Sequence, residues 1–177
     1  MSDIKLSFIK LASSDLAPEI SALVNSAYRG ESGAQGWTTE AGLLKGLRTD
    51  SERVHDLIAA RGNAVLVKVI DGKVEGCVHL EKKDASTAYL GMLTTNPSAQ
   101  AKGTGSELLK AAEDYAKKTW ETHKIEMTVI DSRQELIAYY VRRGYRITNE
   151  KRPFPSDPRF GVSLVGVIEF VVLEKNL

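Results

Sequence analysis

Gly103 and Gly105 stand one residue apart in the run GMLTTNPSAQAKGTGSELLKAAEDYAKK, residues 91–118, between a strand-like segment and an apolar-periodic helix. Glycines at the mouth of a helix let backbone N–H groups approach an anion. Those groups have no partner inside the helix and carry partial positive charge. Without Cβ atoms, nothing holds a phosphate away from them. A Walker loop would place lysine and then serine or threonine directly after its last glycine; Gly105 is followed by Ser106. A dinucleotide fingerprint carries a third glycine three residues after the second and lies in an early strand–helix–strand unit. That position is Leu108, and the turn lies past mid-chain. What remains is an anion-binding turn of another kind, or a plain strand–helix turn.

The elements that must position this turn are legible from periodicity. Residues 4–11 can form a strand. Leu16, Ile20, Leu23, Val24 and Ala27 recur at helical spacing, with Ser14 or Asp15 able to cap them. Thr38 or Thr39 is expected to start a second helix on Leu43, Leu44 and Leu47, and Ser51 to cap a third carrying Val54, Leu57 and Ile58, with Gly62 past its end. The period then changes. AVLVKVI and VEGCVHLEK read as strands joined at Asp71-Gly72, a pair suited to a tight hairpin turn. In the second strand Val74, Gly76, Val78 and Leu80 are expected on one face, and Glu75, Cys77, His79 and Glu81 on the other. AYLGMLTT is a further strand.

After the glycines, Leu108, Leu109, Ala112, Tyr115 and Ala116 form an apolar helical stripe. IEMTVI alternates as a strand does, and RQELIAYYVRRG reads as a short helix with Leu136, Ile137, Tyr140 and Val141 on one side. YRITN and VIEFVVLEK close the chain as strands around a proline-rich loop. The order implies an α/β or α+β layer fold, with helices packed on a mostly antiparallel sheet.

Composition narrows the class. A chain of 177 residues, 42% apolar and 27% charged, suits a single globular domain spanning residues 1–177. A formal net charge of +1 offers no excess of positive charge to drive nucleic-acid or membrane binding. No apolar run approaches the length of a membrane span, and the N-terminal residues lack the order of a secretory signal. The single Cys77 excludes an internal disulfide and makes a reducing, cytoplasmic setting the default. His55, His79 and His123 are too scattered to suggest a metal site.

Gln100-Ala101-Lys102-Gly103-Thr104-Gly105 matches the Gln/Arg-x-x-Gly-x-Gly/Ala signature of the GNAT superfamily of acyl-CoA N-acyltransferases, which the chain resembles. About 35 residues on, Tyr140-Val141-Arg142-Arg143-Gly144-Tyr145 resembles the superfamily's Tyr-x-x-x-Gly-Phe/Tyr segment. The resemblance covers most of residues 4–175. It implies a mixed, mostly antiparallel sheet flanked by helices, with a splayed parallel strand pair and pantetheine in the gap. It also implies acetyl-CoA or another acyl-CoA as co-substrate, and direct transfer to a primary amine.

Residue by residue, the resemblance implies that the backbone of Met92, Leu93 and Thr94 binds pantetheine. One N–H, of Leu93 or Met92, would polarise the thioester carbonyl. Residues Gln100, Ala101, Lys102, Gly103, Thr104, Gly105 and Ser106 would cradle pyrophosphate; Lys102 either adds an attractive charge or is an exposed lysine. Tyr140 matches the tyrosine that supplies a proton or hydrogen bond to the leaving thiolate, although its apolar helix face would equally suit a core tyrosine; Tyr139 is the weaker candidate. Where many members carry asparagines before this helix, this chain has Asp131-Ser132-Arg133-Gln134-Glu135. Arg133 there either reaches the cofactor or is a solvated helix-start residue.

The attacking amine must be neutral, so a base or water chain takes a proton. Glu81 is the first carboxylate to consider, with His79 on the same strand face, though alternating polar residues also mark a solvent face. Two loops are candidates for acceptor binding, residues 28–37 with Tyr28, Glu31 and Trp37, and residues 153–160 with Phe154 and Arg159. Glu31 and Asp157 would suit a cationic amine. The leading expectation is an N-acetyltransferase acting on a small-molecule amine. Its alternatives are a protein or peptide acetyltransferase and a non-catalytic acyl-CoA sensor. The strand VIEFVVLEK would lie inside the sheet or form a homodimer edge.

Overall fold

The computed structural model describes residues 6–30, 39–99 and 103–177. Glu31, Trp37, Gln100, Ala101 and Lys102 therefore lie outside the described residues. In chain order the elements are β1 (Ser7–Leu11), α1 (Ala17–Arg29), β2 (Leu44–Lys45), α2 (Ser51–Ala59), β3 (Asn63–Ile70), β4 (Lys73–Lys82) and β5 (Thr87–Thr95). They continue with α3 (Thr104–Thr119), β6 (Lys124–Ile130), α4 (Gln134–Val141), β7 (Arg146–Pro153), β8 (Val162–Ser163) and β9 (Glu169–Asn176). Seven strands form one sheet in the order β1-β3-β4-β5-β6-β9-β7, with β2 and β8 paired separately. Every neighbouring pair is antiparallel except β5–β6. This is the mixed, mostly antiparallel sheet with one parallel pair expected from the sequence. β9 lies inside the sheet, between β6 and β7.

The sheet is covered on both faces. Ile20, Val24 and Val54 from α1 and α2 pack with Val65, Val67, Cys77 and Met92. Leu108, Leu109, Ala112 and Ile137 from α3 and α4 pack with Leu66, Val78, Leu80 and Ile125 on the other side. Asp71 and Gly72 both have positive φ, 49° and 81°, as the tight hairpin turn requires. Among the described residues no helix is long and apolar enough to cross a membrane.

Four local expectations are corrected. Residues 39–48 are not a helix: Leu44 is buried against Ile130 and Ile168 and pairs with Ser163, and Gly46 has a φ of 102° that no helix accommodates. Asp50 rather than Ser51 caps α2, its side chain accepting from the Arg53 N–H. In α4 the buried side chains are Ile137, Tyr139 and Tyr140, and Val141 is exposed. Val74 lies with Cys77 on the α1/α2 face. The cause is a bulge, since Lys68 pairs with Gly76 and Val69 with Val74, leaving Glu75 as the extra residue.

That bulge also seats α3. The Glu75 carbonyl and carboxylate hold the backbone and side chain of Asn96, just after β5. A Cβ on Gly76 would lie 2.7 Å from Leu108 Cδ1 and 3.0 Å from the Thr94 carbonyl. The glycine is thus what lets the first half of α3 lie directly on β4.

Candidate active site

β5 and β6 pair only through Thr87–Lys124, Ala88–Ile125 and Tyr89–Glu126, then part. Just past that point β5 is bulged. Cys77 pairs with Thr94 and His79 with Gly91, so one β4 residue opposes both Met92 and Leu93. Met92 takes a φ of 54°, a strained value for a side chain of its kind that costs on the order of 1–3 kcal/mol. The irregularity sends Leu93 to the same face as Leu90 and Met92 to the opposite one. It also turns backbone groups out of the ladder where the strands separate. Two hydroxyls secure the distortion: Thr94 Oγ1 donates to the Met92 carbonyl at 3.0 Å, and Tyr28 OH to the Leu93 carbonyl at 2.9 Å. Burial pushes the Tyr28 phenol up to about 12, so it remains a donor at neutral pH.

The gap opens into a cavity of about 350 Å³ lined by Met92, Leu93, Tyr28, Arg133, Tyr140 and Phe154 among others. Tyr140 is buried, its ring edge-on to Tyr139 and Tyr145 with centroids 5.2 and 5.8 Å away. No described residue bonds its hydroxyl, and among the described residues no buried polar side-chain atom is left without a partner, so the hydroxyl opens on the cavity. Burial holds this phenol well above its ordinary value. Of the residues predicted for cofactor or acceptor, the structure therefore brings Met92, Leu93, Arg133, Tyr140, Tyr28 and Phe154 together. Thr94 is wholly buried behind them.

Beside the gap stands the N-terminus of α3. Gly103 caps it with a φ of 82°, and among the described residues a Cβ there would meet only Glu107 Oε1, at 3.9 Å. Gly105 also has a packing role. A Cβ there would sit 3.2 Å from the Tyr139 hydroxyl, so this glycine makes room for α4. Thr104 is buried against β4, and Ser106 faces Arg143. Arg143 donates to Ser106 Oγ at 2.9 and 3.2 Å and to the Tyr139 carbonyl at 2.9 Å, and its guanidinium lies 3.4 Å from the Tyr139 ring centroid. The chain thus adds a fixed cation to the helix end. Its sequence signal was its place in Tyr-Val-Arg-Arg-Gly, one turn after Tyr139.

Other predicted residues lie elsewhere. Glu81 lines neither of the cavities described here and pairs with Lys83 at 3.3 Å. Arg159 points to Asp157, whose carboxyl it holds down at about 2. Arg133 reaches Glu40 Oε1 at 3.8 Å, while Arg29 holds Glu40 Oε2 at 3.1 Å. Arg29 also donates to the carbonyls of Gly46 at 2.9 Å and Phe160 at 3.2 Å. It thereby ties the end of α1 to both segments that roof the cavity. Glu40 and Arg48 had no role from the sequence because residues 39–48 read as a helix built on leucines.

His79 lines a second cavity, of about 420 Å³, that shares Arg48, Tyr89, Gly91, Met92 and Phe160 with the first. Its Nε2 lies 2.6 Å from Asn63 Oδ1, an acceptor, so Nε2 carries the proton and Nδ1 keeps a lone pair. Burial lowers this imidazole to about 4, and Arg48 adds to the effect while Glu81 opposes it. A depressed histidine binds fewer protons folded than unfolded. Its stabilising contribution is therefore complete above about pH 6.5 and is lost as pH falls towards 4. The loss amounts to about 3 kcal/mol. Urea midpoints measured across this window should fall more steeply for the native chain than for His79→Gln; parallel curves would refute a neutral, buried His79.

Residues 34–145 match the family model described as the acetyltransferase (GNAT) family. No curated protein matches the chain in sequence. Among solved structures the chain is similar to YncA of Salmonella typhimurium, determined with its cofactor acetyl-CoA. The TM-score is 0.71 at 19% identity, covering 97% of this chain and 94% of that one. It is similar also to a ribosomal-protein-alanine N-acetyltransferase of Brucella melitensis, with TM-score 0.72, 18% identity and coverage of 96% and 99%. A GNAT-family acetyltransferase of Streptococcus pneumoniae gives TM-score 0.69, 17% identity and coverage of 97% and 100%. At these identities the likeness concerns the fold.

Proposed function

This chain belongs to the GNAT acetyltransferase family, and from that premise we propose that it transfers the acetyl group of acetyl-CoA to the primary amine of a small molecule. The observation that carries the proposal is the gap itself. A bulged Met92-Leu93 backbone and the Tyr140 hydroxyl open on one cavity between parting parallel strands. The helix end at Gly103, with Ser106 and Arg143, suits the diphosphate of the co-substrate. A volume of about 350 Å³, roofed by Phe154, Pro155 and Phe160, favours a small acceptor over a protein segment, which needs an open groove.

The proposed chemistry balances as follows. The neutral amine nitrogen attacks the thioester carbonyl carbon, and a backbone N–H of Met92 or Leu93 stabilises the oxyanion. The tetrahedral intermediate collapses with cleavage of the C–S bond. Tyr140 donates a hydrogen bond to the departing sulfur, and the amine's surplus proton leaves through solvent or through His79 Nδ1, finally reaching the thiolate. Tyr140 is the proposed catalytic donor. Glu81 lies away from both cavities, and an imidazole lowered to about 4 is a weak base at neutral pH, so solvent is the main proposed route for that proton.

Thermal unfolding with and without acetyl-CoA tests the first half of this reading. At about 100 times its dissociation constant a ligand adds about 2.7 kcal/mol, a rise of roughly 5–11 °C for a chain of this length. Thiol release with a panel of small amines tests the second half. A rise without release by any amine would turn the protein into an acyl-CoA sensor, and no rise would defeat the co-substrate assignment.

A further inference from the structure

The cavity's charges are lopsided. Among the described residues Arg29, Arg48, Arg133 and Arg152 line it, against the carboxylate of Glu40. Glu40 is already shared, with Arg29 on one oxygen and Arg133 near the other. Arg152 is met by Glu126 at 3.1 Å and Glu150 at 2.6 Å. Arg48 is different. Among the described residues no carboxylate lies in ion-pair contact with it, although it is only partly exposed. Its guanidinium stands 5.7 Å from the centroid of the Tyr28 ring, and it lines both cavities where they adjoin.

Its position relates to the chemistry. The Tyr28 hydroxyl bonds the Leu93 carbonyl of the bulge, so Arg48 stands about one tyrosine ring from the backbone assigned to the thioester. Arg48 lines the second cavity with Arg53 and Leu57 of α2, whereas Ser106 and Arg143 line neither cavity, so its charge is not counted with the diphosphate cradle. A guanidinium in a partly enclosed, low-dielectric site attracts an oxyanion and repels a second cation.

We infer that the acceptor is a small amine carrying an oxyanion close to its amino group, such as the carboxylate of an amino acid, and that Arg48 is the residue that binds that oxyanion. This rests on the acetyl-transfer reading above and reverses the expectation of a cationic acceptor drawn from Glu31 and Asp157. A forked, planar donor suits carboxylate and phosphonate alike, so the shared chemistry is an amine with a neighbouring oxyanion. A diamine would place its second positive charge against Arg48, with no described carboxylate free to receive it.

The test uses matched pairs: amino acids with their carboxamides, and aminophosphonates with their neutral esters, alongside a diamine. Each is assayed for thiol release from acetyl-CoA and for thermal stabilisation in the presence of CoA. A hydrogen bond to a charged partner contributes about 1.5–3 kcal/mol, so an acid should exceed its neutral partner in kcat/KM by roughly 10–10²-fold, mainly through KM. Which pair shows the larger ratio separates carboxylate from phosphonate. Arg48→Met should collapse the ratio towards one, and Arg48→Lys should restore part of it. The inference is overturned if neutral or cationic amines are accepted as well as acids, if no acid is bound better than its neutral partner, or if Arg48→Met lowers both members alike. Those outcomes leave stabilisation by acetyl-CoA intact, whereas its absence would remove the acetyl-transfer reading together with the inference.

Discussion

Replacing Tyr140 by phenylalanine is expected to lower kcat by about 10²–10³-fold, the usual cost of removing one donor from a developing anion. The KM for acetyl-CoA should stay nearly constant. The ring would keep its edge-on contacts with Tyr139 and Tyr145, and the lost hydroxyl opens on the cavity, so no buried partner is stranded. An interaction present only in the transition state lowers kcat and kcat/KM together. Because burial raises this phenol, Tyr140 should act by hydrogen bonding to the departing sulfur instead of surrendering its proton outright. The pH–rate profile should accordingly show no limb from Tyr140 in the neutral range. Steady-state thiol release checks both points; an unchanged kcat would remove Tyr140 from the mechanism.

Ser106→Asp should separate ligand binding from folding. An acidic residue in the first turn of a helix is favourable by about 0.3–1 kcal/mol. The new carboxylate would also meet the Arg143 guanidinium, which already lies on Ser106 Oγ at 2.9 Å. The free protein should therefore unfold at the same temperature or slightly higher. A diphosphate at that helix end would lose Arg143, now engaged by the new carboxylate, and with it a charged hydrogen bond of about 1.5–3 kcal/mol. The affinity for acetyl-CoA should then fall by one to two orders of magnitude, at about 1.4 kcal/mol per factor of ten. The acid already in this turn, Glu107, is neutralised by Lys68, itself buried. Calorimetric titration of CoA is the measurement. Undiminished affinity would move the phosphates away from α3.

What the sequence disclosed follows from the range of each interaction. The hairpin at Asp71-Gly72, the stripe of α3 and the alternation of β6 are local, and the structure repeats them. The parallel pairing of β5 with β6 came from the resemblance, and the register agrees with it. The bulges at Glu75 and at Met92-Leu93 were not legible, because one extra residue in a strand changes partners without changing composition. Residues 39–48 were misread because leucines at helical spacing are used here to pair with a strand more than a hundred residues away. Arg133 was a candidate from its place before α4, but the convergence of the cavity's arginines was illegible for a related reason. Arg29, Arg48 and Arg133 gain meaning only when α1, the segment before α2 and the start of α4 converge on one cavity. The roles given to Glu81 and Arg159 rested on residue type, and geometry directs attention to Arg48.

The place of β9 bears on how such a chain emerges from the ribosome. β6 and β7 are both made before β9, yet neither touches the other in the sheet, since β9 lies between them. A nascent chain that has reached β7 therefore carries two open strand edges at once, with no way of closing them on each other. Such edges are templates for pairing with other chains. The two-stranded sheet of β2 and β8 cannot shield them, because β8 too is made only after β7. Synthesis of the segment from β7 to β9 is thus an interval of exposure, ended by the insertion of a single strand, and it is there that pausing, truncation or chaperone shortage would be felt first.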